Sequence, residues 1–492
     1  MKKLISIFLA FIIVFSLVAC NVNSEDDSGD GVLVPNATDS GDSLDKDYDD
    51  APDDDPEDVL YPAKLNGVSI ADYVIVYDAE GLDYNKRAAE YIKGEIAERC
   101  GAVLNMVDDS VDAVAHEIVV GETSREISAE LDAECEGLEF SMLAKDGNIA
   151  LEGDYFIIAA AAYYFMDTYG FTSAKEVSIP DGETVLEPIV KEAKNYIILI
   201  GDGMGVNHTL LFDQLTDTTD YSDNEAFFYG YLLPSKGFSR TDSLSGVTDS
   251  AAGGTAISCG TKTYNKHIGI DKDQNELQSL TELAASKGLA TAVMSTESKT
   301  GATPSTFSAH TMSRDDTEGI VQDQVELYQS FGTIIDCGYD HYNANNINRI
   351  VEKHIADTLS KVASDEDGFF LMYEEAHIDK HSHKNDMAKT FEAVLRFNQA
   401  IARFMEFAFY HPETFILITA DHETGGLLPD ESGAFAYNTE EHTSADVPIF
   451  AYGDGSELFD GKTVENIQIG QTVASFMGVC DFGDQSEFTY LK

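Results

Sequence analysis

Several apolar runs in this chain stop at a residue able to bind a metal ion. Tyr196 to Ile200 leads to Asp202, Phe369 to Tyr373 leads to Glu374, and Phe415 to Thr419 leads to Asp421-His422. Past Glu374, Asp379 and His383 stand four residues apart, which puts them on one face if that segment is helical. His442 precedes a last apolar run, Val447 to Tyr452. A single Asp after a strand is usually a turn residue, and a single His is usually core or surface. Four acids and three imidazoles at equivalent edges of one sheet form a joint pattern, and that pattern suits divalent metal ions.

A second stretch, Gly246 to Gly260, holds a candidate nucleophile. Thr248-Asp249-Ser250 reads as a turn, and Ala251 to Ser258 is small and helix-tolerant. Ser250 then falls in the first turn of a helix, where unpaired N–H groups and the helix dipole favour negative charge. A serine there loses its proton more easily and can hold an oxyanion. Taken alone, Asp249 and Ser250 make good helix caps; the acids and imidazoles downstream turn the balance towards chemistry.

The elements that must position these residues alternate. Apolar runs at Tyr196–Ile200, Ala290–Ser295, Phe369–Tyr373, Phe415–Thr419 and Val447–Tyr452 are separated by helical stretches, notably Leu277–Lys287 and Met387–Phe409. That order predicts an α/β fold whose mixed, mostly parallel sheet is covered by helices on both faces. In such sheets, sites form beyond the carboxyl ends of the strands. Residues 60–190 predict a small α/β domain ahead of it. It has strands at Ala71–Tyr77 and His116–Gly121, a hairpin across Asp146-Gly147, and helices at Asn85–Arg99 and Tyr155–Tyr169.

Composition bounds the partners. With 31 basic and 88 acidic residues the net charge is -57. Such a surface excludes nucleic acid and repels anionic substrates unless bound cations reverse the field locally. Met1-Lys2-Lys3 and the apolar run Leu4–Val18 form a secretory signal over residues 1–19. Its end, Leu17-Val-Ala-Cys20, resembles a bacterial lipobox, which implies lipidation of Cys20 and an extracytoplasmic protein anchored to a bacterial membrane. Residues 20–59 are rich in Asp, Ser and Gly and read as a solvated tether. The remaining cysteines lack CxxC spacing, so neither a disulfide framework nor a zinc knuckle follows.

Residues 191–492 carry six motifs in one order: Gly201-Asp-Gly-Met-Gly205, Thr248-Asp-Ser-Ala-Ala252, Ala302-Thr-Pro304 with Ala309-His-Thr-Met-Ser-Arg314, Glu374 to His383, Thr419-Ala-Asp-His422 and Glu441-His-Thr443. In these motifs the region resembles the alkaline phosphatases. The resemblance implies a phosphate monoester hydrolase with two zinc ions and one magnesium ion. It assigns Asp379, His383 and His442 to the first zinc, and Asp202, Asp421 and His422 to the second. Asp202, Thr303 and Glu374 match the magnesium ligands. Ser250 matches the nucleophile that forms a phosphoserine intermediate, and Arg314 the phosphate-clamping arginine. Lys380 could reach phosphate through water. Residues 60–190 resemble the small α/β domains that accompany secreted carbohydrate-active enzymes, on Ile118–Thr123 and Asp146–Gly153, which implies a spacer or a glycan contact.

Three departures from the family pattern stand out. Gly301 occupies a position where family members place an Asp or His that supports magnesium, so Gly301→Asp is expected to tighten that site. Glu375 replaces a glycine and could add a ligand. The stretch between His422 and His442 is short. Two other readings stay open: a phosphodiesterase on the same fold, and a non-catalytic lipoprotein that binds glycans through residues 60–190. Oligomeric state is left open, with a homodimer as one option. Metal activation needs no separate general base, so a Ser-His-Asp triad is expected to be absent.

Overall fold

The computed structural model describes residues 60–79, 83–131, 134–216, 227–338 and 347–492. The signal segment 1–19, Cys20 and the 20–59 tether lie outside the described residues.

An eight-stranded sheet organises the C-terminal region. Across it the strands run Ile334–Cys337, Ala290–Ser295, Phe369–Glu375, Asn195–Gly201, Thr414–Thr419, Val447–Tyr452, Ser235–Arg240 and Thr463–Glu465. Only Val447–Tyr452 runs against the others, pairing antiparallel with both neighbours. The four central parallel strands are buried along almost their whole length. Burial on both faces is why they read as unbroken apolar runs rather than as alternating ones.

Side chains alternate between two cores. Ile197, Leu199, Leu371, Tyr373, Ile416 and Ile418 meet Val394, Phe397, Ile401 and Phe404 of the helix Met387–Tyr410. Ile198, Ile200, Phe370, Met372 and Leu417 face the opposite way, against Ile257, Leu283, Ile469 and Val473. The fold class is therefore the α/β arrangement read from the sequence, with helices on both faces of a mostly parallel sheet.

A six-stranded mixed sheet between Val74 and Leu186 precedes it. Its hairpin, Phe140–Lys145 with Asn148–Glu152, turns at Asp146-Gly147, both at positive φ. Its helices Asp83–Cys100 and Ile158–Tyr169 share one apolar core with Met387–Tyr410. Phe156 stacks on Phe409, Tyr91 packs at a tilt against Tyr410, and Arg87 pairs with Glu406 at 2.7 Å. Each fully buried aromatic contributes about 1.5–3 kcal/mol, so the two layers are joined firmly. Cys100, Cys135, Cys259, Cys337 and Cys480 are free thiols. Among the described residues no helix is long and apolar enough to cross a membrane.

Candidate active site

Four adjacent parallel strands deliver their carboxyl ends to one place. Ser295 and Thr419 close the strands on either side, Ser295 lies opposite Glu374, and Ile200 lies opposite both Glu374 and Thr419. Asp202 follows the central strand through a turn at Gly203, where φ is +73°. A Cβ at Gly203 would lie 2.9 Å from Asp379 Cα and 2.8 Å from Thr424 Oγ1. That glycine lets three loops meet.

Ser250 opens the helix Ser250–Cys259, all of it buried. Asp249 is the N-cap; its carboxylate accepts from the Ala252 N–H at 3.0 Å. The helix can come close to the other loops because Gly253 has no side chain: a Cβ there would stand 2.7 Å from the Asp421 carbonyl oxygen. The cap and nucleophile readings of this stretch thus divide between neighbours, with Asp249 capping and Ser250 Oγ turned to the Nε2 of His422 at 3.1 Å.

The ring nitrogens can be assigned protons from their partners. His383 Nδ1 donates to the Glu440 carbonyl at 2.5 Å, and His442 Nδ1 donates to the Thr248 carbonyl at 2.9 Å. In the neutral rings, both Nε2 atoms then carry bare lone pairs. They face each other at 3.0 Å, beside Asp379 Oδ1 at 3.3 and 3.4 Å. Two lone pairs and a carboxylate oxygen at that distance repel unless a cation sits among them. Against burial, the hydrogen bond and charge of Asp379 raise the His442 pKa. Asp379 in turn is held well below the usual carboxylate range despite its burial, by His442 and the neighbouring imidazoles.

His422 is fully buried. Thr424 Oγ1 donates its one proton to Asp379 Oδ1 at 2.6 Å, so it accepts from His422 Nδ1 at 3.2 Å. The Nε2 of His422 is therefore bare as well. Burial, then the charge of His442, pulls this imidazole down to about 3. Its Nε2 stands 3.4 Å from both Asp202 Oδ1 and Asp421 Oδ2, two buried oxygens with no hydrogen-bond partner. The ligand atoms of Asp202, Asp421 and His422 lie within 4.8 Å of one another, as do those of Asp379, His422 and His442.

A third group is all oxygen. Thr303 Oγ1, Glu374 Oε1 and Asp202 Oδ1 are buried without a well-formed hydrogen bond, and the Thr303 hydroxyl sits close enough to the Glu374 carboxylate to draw its pKa down against burial. Burial holds Glu374 and Asp202 well above the usual carboxylate range, and Asp421 is pushed up to about 6 mainly by burial and then by Asp379. The donor sets fit cations at all three positions: imidazole with carboxylate at two, oxygen alone at the third.

An open cleft of about 510 Å³ reaches this cluster, lined by Ser250, Asp249, Arg314, Asp379, His383 and His442 among others. Arg314 is steered into it: its backbone N–H donates to the Lys266 carbonyl at 2.8 Å, and its guanidinium reaches Asp249 Oδ2 at 3.4 Å. Lys380 instead pairs with Glu297 Oε2 at 2.6 Å. Glu375 is no ligand. Adjacent to Glu374 on one strand, it points to the other face, fully buried between Arg396 at 3.1 Å and His377 at 3.1 Å. Against burial, the Arg396 charge and His377 hydrogen bond draw it down to about 2.

The strand-tip pattern thus brings Asp202, Ser250, Thr303, Arg314, Glu374, Asp379, His383, Asp421, His422 and His442 into one neighbourhood. Sequence reading missed Asp249 as the partner of Arg314, Thr424 as the residue that fixes the His422 tautomer, and Glu297. Asp249 was visible as a cap next to Ser250; nothing in the sequence marks the other two. The sequence leads to the expectation that no Ser-His-Asp triad is present; Ser250 does meet the Nε2 of His422. His422 meets a threonine hydroxyl at Nδ1, not a carboxylate, and its low pKa makes it a poor base at neutral pH.

The family model for alkaline phosphatase matches residues 193–336 and 346–438. Alkaline phosphatase 3 of Bacillus subtilis (strain 168) is 29% identical over 354 residues, covering 61% of this chain and 76% of that protein. Residues 193–438 carry the alkaline phosphatase family pattern. The chain is accordingly a phosphatase enzyme, and a metal-dependent one. The alkaline phosphatase of Escherichia coli (strain K12) is 38% identical over 133 residues, 25% of this chain and 27% of that protein. The alkaline phosphatase of the Antarctic bacterium TAB5 superposes with a TM-score of 0.52 at 26% identity, covering 59% of this chain and 99% of that one. A variant of that enzyme has been solved with Mg bound in its M3 site.

Proposed function

We propose that this enzyme hydrolyses small phosphate monoesters through a phosphoserine at Ser250. One observation carries the reading: Ser250 Oγ meets His422 Nε2, which stands 3.4 Å from the buried, partnerless Asp202 Oδ1 and Asp421 Oδ2, in a cleft also lined by His383 and His442. In this proposal Asp379, His383 and His442 hold one zinc ion, and Asp202, Asp421 and His422 hold a second. Asp202, Thr303 and Glu374 hold magnesium, the ion found in the M3 site of the TAB5 variant. When bound, these ions supply positive charge that favours the ionised serine and balances the attacking and leaving oxygens of an in-line displacement.

The chain's own groups do the rest. Arg314 offers two N–H groups to the unesterified oxygens of the substrate, a fork geometry that suits a dianionic monoester. Asp249 aims that fork and caps the helix whose N-terminus faces the phosphoryl group. Ser250 Oγ displaces the ester alcohol, and a water then displaces Ser250 to release inorganic phosphate. The half-exposed Arg314 leaves room for a variable alcohol above the cleft.

The test is Ser250→Ala, assayed for phosphate release from an aryl phosphate with metal content measured in parallel. Loss on the order of a thousandfold, about 4 kcal/mol of transition-state stabilisation, with metal retained, is expected. Undiminished turnover removes Ser250 as the nucleophile, and faster turnover of the matching diester favours a phosphodiesterase. We propose also that Cys20 anchors the protein to a bacterial membrane on its extracytoplasmic side. Cys20→Ser should then release it into the soluble fraction, and continued membrane association would contradict the anchor.

A further inference from the structure

Gly301 is the N-cap of the short helix Ala302–Thr306, with φ -58°. That backbone suits any residue, and the position ordinarily favours Ser, Thr, Asp or Asn. The reason for glycine is space. A Cβ at 301 would lie 1.8 Å from Glu297 Oε1 and 2.3 Å from its Cδ. The carboxylate of Glu297 therefore fills the volume that a side chain at 301 would take.

Glu297 is held there from two sides. Its N–H donates to Ser295 Oγ at 3.0 Å, and the same hydroxyl donates to Glu374 Oε2. Its Oε2 receives Lys380 Nζ at 2.6 Å, and its side chain is only 14% exposed. Through the Ser295 hydroxyl it neighbours Glu374, whose Oε1, like Asp202 Oδ1 and Thr303 Oγ1, is buried without a well-formed hydrogen bond. The charge of Glu297 reaches both Glu374 and Asp202, adding to the effect of burial on each.

We propose that Glu297, not residue 301, is the carboxylate this chain places over the magnesium site, touching the ion or a water on it, with Lys380 as the clamp that holds it. The site then offers three carboxylates and one hydroxyl without an imidazole, a set suited to a small hard cation over zinc. Lys380 is occupied by Glu297 rather than by phosphate. This inference rests on reading Asp202, Thr303 and Glu374 as a magnesium site.

The experiment uses the full chain, stripped of metal and reloaded with zinc. Magnesium is titrated by calorimetry and its effect on the unfolding temperature is followed. Glu297→Gln should weaken magnesium binding about tenfold to a hundredfold with zinc content unchanged. Gly301→Asp should weaken it as well, because the new side chain drives Glu297 from its place; the double variant Glu297→Gln/Gly301→Asp should recover part of the loss. Glu374→Gln serves as the reference. If Glu374→Gln loses magnesium while Glu297→Gln binds within about twofold of the parent, the role of Glu297 is refuted and the site stands. If Glu374→Gln also leaves the titration unchanged, the magnesium reading itself fails and takes this inference with it. Should Glu297→Gln not fold, Gly301→Asp decides alone: tighter binding contradicts the proposal.

Discussion

At the scale of single residues, neighbours on one strand are sorted by the side to which they point. Glu374 turns to the oxygen group, where it lacks a partner at Oε1; Glu375 turns to Arg396 and His377 and is fully satisfied. Sequence alone presented them as two acids side by side, so a ligand role for Glu375 was open. Pleating removes it. Glu375→Gln should leave metal content and turnover nearly unchanged. It should cost about 3–5 kcal/mol of stability at neutral pH, because it strands the buried Arg396 charge; denaturant unfolding measures it. Loss of metal with no loss of stability would return Glu375 to the site. Thr424, in a two-residue strand, and Glu297, in a bend, were invisible because segments so short carry no period.

At the scale of elements, the buried strands were legible because burial on both faces leaves only apolar residues. Ser235–Arg240 was not. It is buried only at every second residue, through Ser235, Gly237 and Ser239, so no apolar run marks it. The reversed direction of Val447–Tyr452 was also beyond reach, since pairing partners are set by the whole sheet. The helix Ser250–Cys259 was readable from its small residues, and the structure gives those residues a purpose. Gly253 and Gly254 let it press on the Asp421 loop and on Thr306. Gly253→Val should force that helix away from Asp421, lowering stability by about 1–3 kcal/mol. Phosphate release should fall at the same time, because Ser250 and His422 separate. A variant equally stable and equally active would mean the close approach is dispensable.

At the scale of the molecule, the central fact is charge. A chain with net charge -57 gathers more acids at its centre, and burial and mutual repulsion raise the pKa of several of them. Between the ordinary carboxylate range, about 4, and the raised Asp421 value of about 6, the carboxyls of this cluster bind more protons in the metal-free fold than in the unfolded chain, while buried His208, His381 and His422, lowered chiefly by burial, bind fewer. The carboxyls' contribution to stability should therefore fall as pH rises through that window, against the opposite contribution of those histidines. Zinc and magnesium should reverse the trend, since the same carboxylates are ligands once ionised. Thermal unfolding with and without metal, from pH 4 to pH 8, tests this. A metal-induced gain in stability that does not grow with pH would contradict it.

The account depends on cations gathering around one hydroxyl. Crystals of the zinc-loaded chain, measured at the zinc absorption edge, test that most directly. Two anomalous peaks should appear, one among Asp379, His383 and His442 and one among Asp202, Asp421 and His422, flanking Ser250 Oγ. Peaks elsewhere, or none at full zinc loading, would contradict the account.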